Sequence, residues 1–136
     1  MAVTITPLYA GLLALWFVLL SLRVVARRRG ASINLGDGGD GQMLRRIRAH
    51  ANFAEYVPFG LALLLMLELA AAIPPWGLHA LGALLLTGRL LHGVALSYMR
   101  HFMLGRVLGT VMTFSMLLIA GVLCLWRGLM AASLAG

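Results

Sequence analysis

Residues 57–73 run for 17 positions with one acid, Glu68, and no arginine or lysine. Directly before them stands a dense polar string that carries Arg45, Arg46, Arg48, His50, Asn52, Glu55 and Tyr56. An apolar run of this length is a membrane-span candidate, and charge at its mouth is costly unless it has partners or reaches water. The string is therefore a candidate functional site, and the run after it limits the chain to folds that satisfy their own backbone in lipid.

The rest of the chain agrees. A soluble domain of 136 residues needs a charged exterior, and with 62% hydrophobic and 11% charged residues this chain does not supply one. The net charge of +7 comes entirely from arginine. Those arginines cluster in residues 23–48 and again in 89–106, which fits the flanks of membrane spans and not a nucleic-acid footprint. The single cysteine, Cys124, lies in an apolar stretch, makes no intrachain disulfide and reads as a small buried hydrophobe.

Four spans are expected, at about 7–25, 42–73, 76–98 and 106–126, within one domain covering residues 1–136. The first has its charges after it, at Arg27 to Arg29, which is the wrong polarity for a signal peptide and suits a retained anchor. The Gly-Asp-Gly-Gly-Asp-Gly segment at 36–41 is turn chemistry without the Lys-Ser/Thr of a phosphate loop or enough oxygens for calcium. Pro74-Pro75 should end the second helix, and Pro58 sits inside it. Basic residues follow spans one and three, so the positive-inside rule puts those loops in the cytoplasm and both termini outside. The expected fold is all-α: a four-transmembrane-helix bundle.

At 100° per residue, Arg45, Arg48, Asn52 and Glu55 share an arc of about 80°, while Arg46 and His50 point elsewhere. One face of the second helix thus presents two guanidiniums, an amide and a carboxylate. Arg48 and Glu55 are two turns apart, so Glu55 would rather meet another helix or a ligand amine. In the third span Arg89 and His92 share a face. Arg89 lies deep in the span, where an isolated arginine costs about 2.5–3.5 kcal/mol. It must face protein, and Glu55 or Glu68 is its expected partner. His92 is either an interhelical donor or a catalyst. Guanidinium forks match carboxylates, and one carboxylate matches one ammonium, so a small peptide-like anion with two carboxylates and an amine suits this face. Glutathione is such a molecule, and its thiol would need activation by a nearby cation.

The string Arg48-Ala49-His50-Ala51-Asn52-Phe53-Ala54-Glu55-Tyr56-Val57-Pro58, the Gly-rich loop before it, and Gly88-Arg89 with His92 after it resemble the MAPEG family, the membrane-associated proteins of eicosanoid and glutathione metabolism. The resemblance covers essentially the whole chain and is stronger to small bacterial members than to the eukaryotic synthases. It implies a homotrimer of four-helix subunits with glutathione, as co-substrate, held between neighbours near the cytoplasmic side. On matching positions Arg48, Asn52, Glu55 and Tyr56 would contact glutathione, with His50 near the same cleft and Arg89 and His92 contributing from span three. Arg106 would stabilise the thiolate, with Arg100 as a rival because the spacing differs by about one residue. Arg27 or Arg28 would reach a neighbour's ligand. Leu96 stands where several members carry tyrosine, Tyr98 falls two residues late, and Ala51 stands where some members have arginine.

The implied activity is that of a glutathione transferase acting on lipophilic electrophiles, with lipid peroxides as a second substrate class. No metal is implied. The implied surroundings are a bacterial inner membrane, its lipids and further copies of the chain, and no nucleic acid. The alternative is a non-catalytic membrane protein of the same fold that binds a thiol, a lipid or a partner protein.

Overall fold

The computed structural model describes residues 3–99 and 101–135, the side chain of the last excepted. Four helices follow one another: α1 (Ile5–Gly30), α2 (Gly41–Leu69), α3 (Pro75–Ser97) and α4 (Met103–Ala135). Each is long and apolar enough to cross a membrane. The shortest, with 23 residues, spans about 35 Å at 1.5 Å per residue, which exceeds a ~30 Å hydrocarbon core. The chain is an all-α, multi-pass membrane bundle.

The bundle is not symmetric. α3 packs against all three other helices, and so does α2 except that its contact with α4 is the slightest, while α1 and α4 do not meet among the described residues. Burial follows from this. More than half of the most apolar stretch of α3 is covered (56%), against 17% for α1 and 22% for α4. The uncovered faces carry leucine, valine and phenylalanine, among them Leu15, Leu22, Phe114 and Leu118, as lipid-facing surfaces do.

Small residues let the covered faces approach. A Cβ added at Gly109 would lie 2.6 Å from the Gly88 carbonyl and 2.8 Å from the His92 amide, so α3 and α4 touch backbone to backbone there. At Gly82 the ring of Tyr9 occupies the missing Cβ's space, at 2.3 Å. Gly121, small in the same way, meets nothing within 4 Å and is not a packing glycine.

The helix bounds differ from the sequence expectation at four main ends. α1 runs on through Arg27 to Arg29 to Gly30, because cations in a last turn suit the negative end of the helix dipole. α4 begins three residues before Arg106 and runs well past Trp126, where no proline stops it. α2 ends at Leu69, before the prolines, because Ala71 adopts a left-handed φ of 45°. The amide of Ala72 then donates to the Leu67 carbonyl and that of Ala71 to the Glu68 carbonyl, closing the helix end.

Glu68, the lone acid of the long apolar run, has a structural task. Its Oε1 accepts from the Thr4 and Ile5 amides and its Oε2 from the Thr6 amide, each at 2.7 Å. Three of the orphan N–H groups that open α1 are thereby satisfied by a carboxylate from α2, at the helix end where the dipole favours negative charge. Glu68→Gln keeps one acceptor oxygen and turns an N–H2 toward the remaining amide. We expect it to lower stability by about 1–3 kcal/mol, read as reversible unfolding in mixed micelles. A change within error would mean that water caps α1 equally well.

Candidate functional site

Nearly every arginine lies at one end of the bundle, where α1 and α3 finish and α2 and α4 begin. Arg23 organises this end. Its Nε donates to Ser97 Oγ at 2.8 Å, its Nη2 donates to the Ser97 carbonyl at 2.7 Å, and its guanidinium lies 3.5 Å from the centre of the Tyr98 ring. A cation thus closes the negative end of α3. Tyr98 also stacks on Trp16 at 6.2 Å, which gives Trp16 a packing role. Arg46 donates to the Arg23 carbonyl at 2.8 Å and His50 stacks on Phe17 at 4.5 Å. Both therefore face α1, away from Asn52, as the helical wheel indicated.

Two cavities open among these groups. The larger, about 540 Å³, is bounded by Arg27, Asp40, Gln42, Arg45, Ser97 and Tyr98, with Leu96 and Met99 on its side. The second, about 260 Å³, shares Arg45, Leu96 and Met99 with it and adds His101, Phe102, Met103 and Arg106. They adjoin along Arg45. A third recess of about 260 Å³ shares Met103 and Arg106 with the second and is otherwise formed by His92, Val107, Thr110 and Val111. Arg106, itself exposed, therefore stands between a basic cleft and a largely apolar recess on the outer side of α4. Arg100, its rival from the sequence, lies outside the described residues.

The most deeply buried charged group among the described residues is Arg89, 2% exposed. Its Nε donates to Thr113 Oγ1 at 2.8 Å, its Nη1 to Asn52 Oδ1 at 2.6 Å and its Nη2 to the Gly109 carbonyl at 3.1 Å. Thr113 Oγ1 in turn donates to that carbonyl at 2.8 Å. Tyr56 places its ring 5.5 Å from the guanidinium and packs on Phe114. The expected carboxylate partner is corrected here. Glu68 is held at the far end of the bundle by the amides of α1, and Glu55 is exposed on α2. Arg89 is bound by neutral oxygens instead, and by holding Asn52 Oδ1 it leaves Asn52 Nδ2 as the outward donor.

The structure brings Asn52, Tyr56 and Arg89 together, and groups His92 with Arg106. Arg48 and Glu55 are exposed on α2 and border none of these cavities. The two arginines ending α1 part company. Arg27 pairs with Asp40 and borders the large cavity, whereas Arg28 donates to the Gly36 carbonyl at 3.0 Å and borders a different recess. Sequence reasoning missed Thr113 and the Gly109 carbonyl. The available signal was Gly88 beside Arg89, a small residue admitting a close partner helix, and a threonine one turn after a glycine on α4.

The model of the MAPEG family matches residues 6–126. The chain belongs to the MAPEG family. It is also 39% identical, over 88 residues, to the inner membrane protein YecN of Escherichia coli strain K12, and equally to YecN of Escherichia coli O6:H1 strain CFT073. The aligned segment covers 65% of this chain and 66% of those proteins, just under two thirds of their length.

Within this MAPEG protein Asp40 ties the loop to α2. Its Oδ1 accepts from the Met43 amide at 2.7 Å as an N-cap, while Oδ2 meets Arg27. The Arg27 guanidinium, and then the Met43 amide, hold its carboxyl below the ordinary value. A carboxyl lowered in the folded state contributes stability that is complete above the unfolded pKa of about 3.9 and is lost as pH falls through the lower folded value. Acidification below about pH 4 should therefore weaken hydrogen-exchange protection at Met43 and Leu44, and Asp40→Ala, which removes the cap oxygens, should show that loss already at neutral pH.

Asn52→Leu tests the deeper network. It leaves a buried guanidinium N–H unpaired and should cost about 1–3 kcal/mol in unfolding free energy. Combined with Arg89→Met, the loss should be smaller than the sum of the two single losses. Strict additivity would mean that the two side chains do not act as one unit.

Proposed function

We propose that this protein is an inner-membrane, glutathione-dependent transferase that conjugates the thiol to lipophilic electrophiles, with lipid peroxides as a second substrate class. The observation that carries the reading is the position of Arg106. It borders a basic cleft shared with Arg45 on one side and an apolar recess with His92, Val107 and Val111 on the other. A water-soluble thiol anion and an electrophile dissolved in lipid would meet at that guanidinium. A free thiol of pKa near 8.5 is only about 3% thiolate at pH 7. Two units of depression, about 2.7 kcal/mol, make it roughly three-quarters thiolate. A cation at the edge of a partly dry site acts in that direction. The thiolate sulfur then bonds to the electrophilic carbon, the leaving group departs with its electron pair, and the thiol proton has already passed to water.

The peptide part has matching partners. Of the four acids, Asp37 accepts from the Gly39 amide, Asp40 caps α2 and Glu68 caps α1. Glu55 alone has no such task among the described residues, and it is exposed on the same stripe as Arg48 and Asn52. It suits an ammonium, Arg48 suits a carboxylate, and Asn52 Nδ2 is turned outward by Arg89. Exposed charges on a span are costly, so in this reading a second copy of the chain covers them and brings its Arg27 to the ligand, in the homotrimer that the family resemblance implies. Tyr56 and the buried Arg89 shape the floor, and the basic end faces the cytoplasm.

A second reading, a thiol-binding protein without turnover, is favoured by Leu96. It stands in the walls of both basic cavities and offers no hydroxyl, and Tyr98 is held under Arg23. Purified protein titrated with glutathione should develop the thiolate band at the ultraviolet edge and turn over a chloronitrobenzene-type acceptor. Arg106→Ala should remove about nine-tenths or more of the band at neutral pH, as a two-unit rise in thiol pKa requires. A band without turnover selects the second reading, and an unchanged band in the variant removes Arg106 from the role.

A further inference from the structure

We propose that the end of α1 carries a binding site for an anionic phospholipid of the leaflet at the basic end, separate from the thiol cleft. On the outer side of α1, Leu8, Leu12, Leu15, Leu19 and Leu22 follow one another at alternating steps of four and three residues, all exposed. They form one continuous apolar stripe. The stripe reaches Val25 and runs into a recess of about 500 Å³ formed by Val25, Arg28, Arg29, Ser32, Ile33 and Asn34. Ten residues separate Leu15 from Val25, or about 15 Å of helix. That is half of a ~30 Å hydrocarbon core, the depth of one leaflet. An acyl chain along the stripe therefore brings its headgroup to the two guanidiniums.

The recess is built for an anion from outside. The last carbonyls of α1 are satisfied by the loop's own amides: Ala31 N–H to Arg27, Ser32 N–H to Arg29 and Ile33 N–H to Arg28. The hydrogen bonds that close the helix thus come from the backbone and not from the arginine side chains. Arg28 is steadied by its bond to the Gly36 carbonyl, and Arg29 is exposed beside it. Adjacent guanidiniums repel each other, and a phosphate relieves this through paired N–H donors. Ser32, whose φ of 53° turns the chain back, and Asn34 add polar groups at the rim. Next to them Leu35 is 89% exposed, an apolar side chain at the depth where headgroups meet acyl chains.

The charge pattern favours a lipid over a second copy of the chain. The stripe is apolar throughout its length and basic only at its end, as an anionic amphiphile would require. This assignment does not rest on the thiol reading, since Arg29 borders none of the cavities around Arg106.

The test is native mass spectrometry of the full-length protein, titrated in detergent with phosphatidylglycerol or phosphatidylcholine at low and raised salt. Phosphatidylglycerol should be retained preferentially and lost as salt rises. Removing both charges in Arg28→Ala/Arg29→Ala should weaken retention ~30-fold. Arg29→Glu, a change on an exposed side chain, should weaken it at least as much while leaving glutathione binding intact. Equal retention of the two lipids, or undiminished retention in Arg29→Glu, overturns the proposal. Displacement of the lipid by equimolar inorganic phosphate would make the recess a free-phosphate site and overturn it as well. So would spontaneous cross-linking of Leu22→Cys in a Cys124→Ala background, which would place a second copy on the stripe.

Discussion

A permanent positive charge sits between three helices of this bundle, and the neutral oxygens that hold it fix where those helices stand. Arg89 on α3 reaches Asn52 on α2 and both Thr113 and the Gly109 carbonyl on α4. An arginine at the centre of a span costs about 2.5–3.5 kcal/mol even on the gentler scales. The cost is avoided only if its N–H groups are met by protein, and Gly109 can offer its carbonyl only because glycines at 88 and 109 let the backbones touch. Packing and polar satisfaction thus specify the same helix pair. A carboxylate in the same place would have neutralised the guanidinium but removed Glu55 from any other task.

The distribution of acids follows the same economy. With four acids against eleven arginines, the protein places Glu68 and Asp40 on helix N-termini, where backbone N–H groups are unpaired and the dipole favours negative charge. Cations close the opposite ends: Arg23 sits on the last carbonyl of α3, and Arg127 donates to the Ala70 carbonyl beyond α2. Helix ends are therefore tied to neighbouring helices at both faces of the bundle, and the apolar middle needs only shape to pack.

Much of this was legible in the sequence. The number of helices, their approximate position and the side to which the arginines belong follow from apolar runs long enough to span lipid. The separation of Arg46 and His50 from Asn52 follows from helical phase. The helix ends were less legible. Nothing in Ala71 announces a left-handed turn, so α2 stops short of the prolines that alone look like a terminator. The partner of Arg89 was misjudged for a physical reason. Charge complementarity is visible in a sequence, whereas a backbone carbonyl exposed by a glycine and a threonine one turn away is not. The same bias made Glu68 look like a counter-ion when its partners are three amides. Arg27 and Arg28, equivalent in sequence, are separated by the 100° turn between neighbouring helix positions, which only the packed loop converts into two different recesses.

The exposed charges of α2 bear on how such a site works. Arg48 and Glu55 are carried by a helix whose other face is committed to α1 and α3, so a single chain has no remaining element to cover them. Moving them inward would place charge against the leucines of the core. In the function proposed above, leaving them outward makes them available to a ligand bordered by another copy, with Asn52 held in register by Arg89 from behind. On the proposed reading this division has a chemical consequence. The peptide part of the ligand is recognised where charge can be shared between chains, while Arg106 stands at the open edge of α4 next to an apolar recess. Recognition is then enclosed and reactivity faces the membrane, as a soluble thiol meeting a lipid-dissolved partner requires.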